Sequence, residues 1–406
     1  MLSSLFQRLE ELFPETVDLR RNFHQYPELS FHEEKTPQKI ADYLKRLGIE
    51  TRTNVGGRGV VGTIKGKHPG KTVALRADFD ALPIQDEKNV EYRSKVPGVM
   101  HACGHDAHTA TLLTVAKVLQ EHRHLLKGNV VLIHQFAEEV APGGAKPMIE
   151  DGCLDGVDVI FGTHLWSLLP VGQIGYRKGP AMAAADKFEI AIQGKGGHGA
   201  APHDTVDAIM LGTSYIQMLQ QIVSRRINPL AQAVISVGQF QAGNSFNVIA
   251  DKATIIGTVR TFDGAIQDQI ILEMESLLKS LCDHAGATYE FLYEKGYPPL
   301  INHEQETDFL IKCASSIVGD ENVVSLEPSM GGEDFAYYLQ KVPGTFFFTG
   351  AGNPEVGAMY PHHHPKFDID ERSMLYAGKT LIAATVRFLE QHAEQPSAST
   401  INSTSS

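Results

Sequence analysis

Apolar residues along the chain change period several times, and each change marks an element. Leu5, Leu9, Leu12 and Phe13 fall at helical spacing, so the opening segment reads as a helix, and a second covers about 34–47 before Gly48. Short, β-branched runs follow: Val60-Val61, Val73-Ala74-Leu75, Val130-Val131-Leu132-Ile133, and Val157 with Val159-Ile160-Phe161. Helical patterns such as 107–119 separate some of them. Apolar strands alternating with helices predict an α/β layer with a mostly parallel central sheet.

From about 184 the texture changes. Phe188, Ile190 and Ile192 alternate with polar neighbours, as on a sheet with one wet face. A helical pattern over 206–223, strands near 234–237 and 248–259, a helix over 265–281 and a strand over 288–293 complete the order βαββαβ. That order is the split ferredoxin-like unit, which can bury a core of its own. The sequence therefore predicts an inserted α+β domain at 184–295 within a catalytic domain made of 1–183 and 296–392. After Pro298 come a helix near 334–339, a strand over 345–348 and a last helix over 373–389. The Ser/Thr-rich end has almost no apolar content, so 393–406 is predicted to be a disordered tail. There is no internal repeat.

Composition narrows the function classes. The 406 residues hold 36 Lys and Arg against 48 Asp and Glu, a net charge of −12, with 42% hydrophobic and 21% charged residues. This is a globular chain with no basic footprint for nucleic acid and no polybasic strip for a membrane surface. Small neutral or anionic substrates stay open. No stretch approaches the roughly 20 apolar residues of a membrane helix, and Glu10 and Glu11 fall where a signal peptide would continue its apolar run. Four widely spaced cysteines make no disulfide framework, so a cytoplasmic location is expected. Of these, Cys153, Cys282 and Cys313 have no histidine at ligand spacing and read as core thiols.

Eighteen histidines prompt a search for metal chemistry. His101-Ala102-Cys103-Gly104-His105-Asp106 precedes a helix start, Glu138-Glu139 follows the apolar run 130–136, His164 follows 157–161, and His362-His363-His364 precedes Pro365. Ligands of open α/β sheets bind beyond the carboxyl ends of strands, where these four pieces can converge. Taken singly, each has a plainer reading as a buried thiol, a solvated acid pair or a surface loop. Together, thiolate, imidazole and carboxylate suit zinc, cobalt, nickel or manganese rather than calcium or magnesium. Five ligands fit two ions sharing one bridge better than a single tetrahedral ion that keeps a place for water.

These motifs, with 21–28 (Arg21-Asn22-Phe23-His24-Gln25-Tyr26-Pro27-Glu28), 76–83 beginning Arg76-Ala77-Asp78, Gly196-Gly197-His198 and Gly331-Gly332-Glu333-Asp334-Phe335, resemble the metal-dependent N-acyl amino acid amidohydrolases, the family of hippurate hydrolase and indole-acetyl amino acid hydrolase. The resemblance extends to Phe367-Asp368-Ile369-Asp370-Glu371. It implies a di-metal peptidase-type site in which Cys103 bridges, His105 and His164 complete one ion's ligands, and Glu139 and His363 complete the other's. His363 is chosen because the family's ligand stands two positions before the proline. Glu138, left over, is the expected general base and acid for a water attacking the amide. The resemblance further implies that His198, Asn247 and Arg260 bind substrate, with His198 often contributed by a neighbouring subunit, so that a homo-oligomer, dimer or tetramer, is expected. Where many relatives of the wider superfamily carry a ligand histidine, Arg76 stands. Asp78 is then expected to orient a ligand from behind or to pair with a nearby base. Carboxypeptidase, dipeptidase or N-acetyl-diaminopimelate deacetylase activity shares the mechanism. A Cys103 nucleophile paired with His105, or a non-enzymatic metal-binding protein, are the competing classes.

Overall fold

The computed structural model describes residues 1–393; the tail predicted to be disordered lies outside the described residues from 394 onward. Its central sheet has eight strands, in the order Glu50–Val55, Gly59–Lys65, Lys127–Gln135, His68–Asp78, Val159–Pro170, Gly344–Gly352, Ile174–Tyr176 and Val323–Ser325. The middle of the sheet is parallel: Lys127–Gln135, His68–Asp78, Val159–Pro170 and Gly344–Gly352 all run the same way. Three neighbour pairs nearer the edges are antiparallel. The parallel strands are buried because helices pack on them, chiefly His105–Glu121 and Ser373–Gln391. Val73, Ala74, Leu75, Leu132, Ile133, Phe161 and Phe347 have no exposed surface.

Two details differ from the sequence reading. The opening apolar pattern is broken into two helices, Leu2–Glu11 and Phe13–Gln25, with Pro14 in the first turn of the second, where its missing N–H costs nothing. The strand carrying His164 does not end at Phe161 but runs to Pro170, because pairing with Gly344–Gly352 continues after pairing with His68–Asp78 stops at Arg76↔Gly162. His164 thus stands on a stretch of strand with one neighbour gone, which opens its side chain to a cleft.

A second sheet is formed by Ala233–Ala242, Lys252–Thr261, Ala185–Gln193 and Thr288–Tyr297 in that order, all antiparallel. With helices Ala208–Gln221 and Gly264–Ala285 the chain order is βαββαβ. Phe188, Ile190, Ile192, Tyr215, Leu219, Ile270, Met274 and Leu278 fill a core separate from that of the central sheet. The chain enters and leaves this unit through Gly179–Met182 and Leu300–Asn302, which pair with each other. Among the described residues, no helix is long and apolar enough to cross a membrane.

The central sheet's packing is testable at Phe347, which is fully buried. Phe347→Ala should lower the unfolding free energy by about 3–5 kcal/mol in urea titration. A loss under about 1 kcal/mol would mean that the strand beneath the site is loosely packed.

Candidate metal centre

The site is built where parallel strands end. His68–Asp78 and Lys127–Gln135 finish side by side, with Asp78 paired to Gln135. Two residues past the first strand lies Asp80, and three and four past the second lie Glu138 and Glu139. Gly104, in the left-handed conformation at φ 91°, ends the 101–103 loop and starts the His105–Glu121 helix, so Cys103 and His105 leave one tight turn. The 362–364 segment closes over them, with the His363 N–H donating to the Ala102 carbonyl at 2.8 Å.

Hydrogen bonds decide which histidines have a lone pair to offer, since a neutral imidazole carries one N–H and one acceptor. His105 donates its Nδ1–H to the backbone carbonyl and Oδ1 of Asp80, each at 3.1 Å, leaving Nε2 buried with no partner. His164 donates Nδ1–H to the Leu165 carbonyl at 2.8 Å, so its Nε2 faces the Cys103 Sγ at 3.4 Å as an acceptor. His108 and His362 are the reverse. Nε2 of His108 accepts the Leu165 N–H at 2.9 Å and its Nδ1–H goes to Asp78 at 2.6 Å. Nε2 of His362 accepts the Ser167 N–H at 3.2 Å, which puts the proton on the Nδ1 that lies 3.7 Å from Cys103. His362 also stacks on Trp166 with ring centroids 4.6 Å apart. Proximity alone groups His362 with Cys103 and His164, and His108 with Asp78 and His105, but both rings are already satisfied. Nε2 of His363 lies 3.3 Å from Glu139 Oε2, and His364 turns away to stack on Tyr360.

The remaining open atoms converge. Oε1 of Glu139 is buried without a partner 3.7 Å from His105 Nε2, and ligand atoms of Cys103, His105 and Glu139 all lie within 4.8 Å of one another. Burial, then the charges of Glu139 and Glu138, push the Cys103 thiol well above its usual range. A thiol among carboxylates ionises readily only beside a cation, which argues against an unassisted cysteine nucleophile. His164 is held well below its usual range, by burial first, and stays neutral as a ligand must. Burial pulls His105 down, but Asp78, Asp80 and Glu139 outweigh it and raise it to about 10. An orphaned imidazole nitrogen, an orphaned carboxylate oxygen and a thiol in one pocket therefore fit a divalent cation site.

Glu138 points into the same pocket without joining that set. Burial and the charges of Glu333 and Glu139 hold its carboxyl well above the ordinary carboxylate range. A cavity of about 480 Å³ includes Cys103, Glu138, Glu139, His164 and His363, with Trp166 from the central sheet, Met182 from the neck and Tyr297 and Arg260 from the second sheet. Arg260 makes no ion pair among the described residues, and burial lowers its pKa. His198 and Asn247 do not line this cavity. They sit together at the short Gly197–His198 and Val248–Ile249 pairing, where the Asn247 carbonyl accepts the Gly199 N–H at 2.8 Å, and both are exposed.

The sequence reading of Asp78 needs correction. Its carboxylate bonds Arg76 Nη1 at 2.5 Å and His108 Nδ1 at 2.6 Å, and comes no nearer than 3.9 Å to His105 Nε2. The alternative ion pair with a nearby base is thus present. The carboxylate that orients His105 is Asp80, two residues on, because the strand has ended and the chain has turned toward the helix start. Asp80 lies in the same 76–83 motif, so its signal was present; nothing in the spacing said which of the two acids faces the ring.

The profile of peptidase family M20/M25/M40 matches residues 74–387. The Bacillus subtilis protein YhaA is 59% identical over 382 residues, which cover 94% of this chain and 96% of that protein. The N-acyl-L-amino acid amidohydrolase of Geobacillus stearothermophilus is 47% identical over 297 residues, 73% of this chain and 80% of the relative. The crystal structure of the Bacillus subtilis YXEP protein, described as a dinuclear metal-binding peptidase of the M20 family, superimposes with a TM-score of 0.82 at 38% identity, covering 94% of this chain and 99% of that one. A metal-competent pocket at the ends of parallel strands, in a chain matched over most of its length, places this protein in peptidase family M20/M25/M40.

Proposed function

We propose that the protein is a metal-dependent amidohydrolase that cleaves N-acyl amino acids into a carboxylic acid and a free amino acid. The observation that carries this reading is the pair of buried, unpartnered atoms, His105 Nε2 and Glu139 Oε1, beside the Cys103 thiol and the unligated Glu138. In this reading Cys103, His105 and His164 would hold one divalent ion, and Cys103, Glu139 and His363 would hold the other, the metals being zinc, manganese, cobalt or nickel. Such ions supply Lewis acidity toward an amide carbonyl and lower the pKa of a water.

The chain's own groups do the rest. Glu138 takes the water's proton as attack begins and returns it to the departing amine; a carboxyl raised above its usual range, by burial first, is a stronger base for that step than an ordinary one. Arg260, unpaired and facing the cavity, receives the substrate's carboxylate, which a guanidinium binds by two parallel hydrogen bonds. Trp166 and Met182 give the acyl group or side chain apolar walls. The 184–295 unit serves as lid and dimerisation face. His198 and Asn247, exposed and outside their own cavity, then reach the site of a second copy in a homo-oligomer. Four free cysteines, with no disulfide, support a cytoplasmic enzyme.

Glu138→Gln should retain two ions per subunit and the native fold while kcat for N-acetyl-methionine or hippurate falls roughly 10²–10⁴-fold. Turnover near wild type would remove Glu138 from the mechanism. Arg260→Met should raise KM for N-acetyl-methionine about tenfold or more and leave KM for the corresponding amide nearly unchanged, since only the acid offers a carboxylate. Equal effects on both would count against the assignment; dipeptides turned over faster than N-acetyl compounds would point to peptidase activity instead. EDTA should abolish hydrolysis and manganese, cobalt, zinc or nickel should restore it. Cys103→Ser should lower bound metal as measured by mass spectrometry, and full occupancy of two ions in that variant would refute the bridge. Chelator-resistant turnover blocked by iodoacetamide would favour a cysteine nucleophile.

A further inference from the structure

The backbone that carries Glu138 and Glu139 has left the sheet, and side chains from three distant segments hold it in turn. The strand ends at Gln135. Ala137 then adopts φ 50°, one of four non-glycine residues with positive φ among the described residues. A left-handed alanine is a strained conformation that its surroundings must impose. The Ala137 N–H donates to Glu33 Oε1 at 2.9 Å, the Glu138 carbonyl accepts from the Tyr297 hydroxyl at 2.6 Å, and the Glu139 N–H donates to Asp80 Oδ2 at 3.0 Å. Tyr297 lines the pocket, and Asp80 is buried behind His105, which it hydrogen-bonds. Glu33 does neither, and it lies 104 residues earlier in the chain than the amide it binds.

We propose that Glu33 is a positioning residue for hydrolysis: its carboxyl, acting as a hydrogen-bond acceptor for the Ala137 amide, imposes the left-handed turn that aims Glu138 at substrate. The inference rests on the amidohydrolase reading above and adds a residue to it. Glu33 is fully buried, and its own carbonyl is gripped by Arg58 Nη1 at 2.5 Å. Phe31, in the same segment, packs edge-on against Phe136 with centroids 5.9 Å apart. Behind the turn lies a cavity of about 650 Å³ lined by Phe31, Glu33, Arg58, Phe136 and Pro142. Ala137 itself is fully buried and does not line this cavity, so Glu33 grips the turn from the cavity side while the core packs its other side. Burial and the Asp80 charge push the Glu33 carboxyl up to about 8. At neutral pH it is mainly an uncharged acceptor, a part that an amide oxygen can play.

Two conservative variants separate acceptor from charge. Glu33→Gln keeps an oxygen at the same reach. Glu33→Asp keeps the acid but is one methylene, about 1.5 Å, too short for a hydrogen bond of ordinary length. In metal-loaded protein, Glu33→Asp should lower kcat at least about tenfold with KM within about twofold and metal content unchanged, because Glu138 acts in the transition state. Glu33→Gln should keep at least about half of wild-type kcat. Hydrogen exchange read by mass spectrometry should show peptides spanning 136–140 losing protection in Glu33→Asp and keeping it in Glu33→Gln. Ala137→Val strains the same turn without touching Glu33 and should reproduce the fall in kcat, which keeps the test open if Glu33→Asp does not fold. Equal kcat in all variants, Glu33→Gln as impaired as Glu33→Asp, or a rise in KM with kcat intact would overturn the assignment. Absence of N-acyl amino acid hydrolysis by the wild type would instead overturn the amidohydrolase reading itself.

Discussion

One buried carboxylate, Asp80, ties the site together. Its Oδ1 accepts from His105 Nδ1 at 3.1 Å, and its Oδ2 accepts from the Glu139 amide at 3.0 Å and the Ser30 hydroxyl at 2.7 Å. Burial alone would raise its pKa, but these bonds keep it below the ordinary value, so it stays an anion and an acceptor. Because the Nδ1 proton of His105 is committed to Asp80, Nε2, aimed toward Glu139 Oε1 at 3.7 Å, is the nitrogen that would give up its proton to a metal ion. The same carboxylate thus fixes which His105 nitrogen points into the pocket, the backbone of Glu139 and the loop from which Glu33 reaches.

A second hub registers the parts that Asp80 does not touch. Arg20, on the Phe13–Gln25 helix, bonds Asp106 at 3.0 Å, Asp368 at 2.6 Å and Glu371 at 3.1 Å while itself almost wholly buried. Asp106 follows His105, and Asp368 lies five residues after His363, so one guanidinium joins two pocket-lining segments that are far apart in the chain. Buried ion pairs roughly break even against desolvation, whereas removing one partner costs about 3–5 kcal/mol. The network is therefore better understood as setting the register of the two loops than as a source of net stability.

Much of this was legible in the sequence because it depends on order along the chain. Short apolar runs alternating with helices dictate the parallel layer, and the βαββαβ order of the second sheet follows from a change to period-two alternation at Phe188, Ile190 and Ile192. Chemistry placed just past those runs, at Cys103, His105, Glu138 and Glu139, does lie in one pocket. What the sequence could not express is direction. His362, His363 and His364 are equivalent as letters, and only the Ser167 amide, Glu139 and the Tyr360 ring give them three different tasks. Asp78 and Asp80 are likewise interchangeable in a motif until the strand's end is known. Glu33 had no signal at all, since its role depends on a contact across 104 residues with a backbone amide rather than with any side chain.

Charge balance explains why so specific a scaffold surrounds the pocket. Asp78, Asp80, Glu138, Glu333 and Asp334 are buried together with Glu139 and the Cys103 thiol close by, and Arg76 is inserted among the acids, shared by Asp78, Glu333 and Asp334. One guanidinium cannot neutralise that many carboxylates. The shortfall shows in the direction of the shifts: burial and mutual repulsion raise Glu333 to about 8 and Asp334 to about 6, although Arg76 pulls both down. Like charges forced into a low-dielectric site either take up protons or need compensating cations. In the reading proposed above, divalent ions would supply that compensation at the Cys103, His105 and Glu139 end, while Arg76 supplies it among Asp78, Glu333 and Asp334. Glu138, which Arg76 does not reach, is for that reason the acid of the cluster to which the proposed reading assigns the movement of a proton.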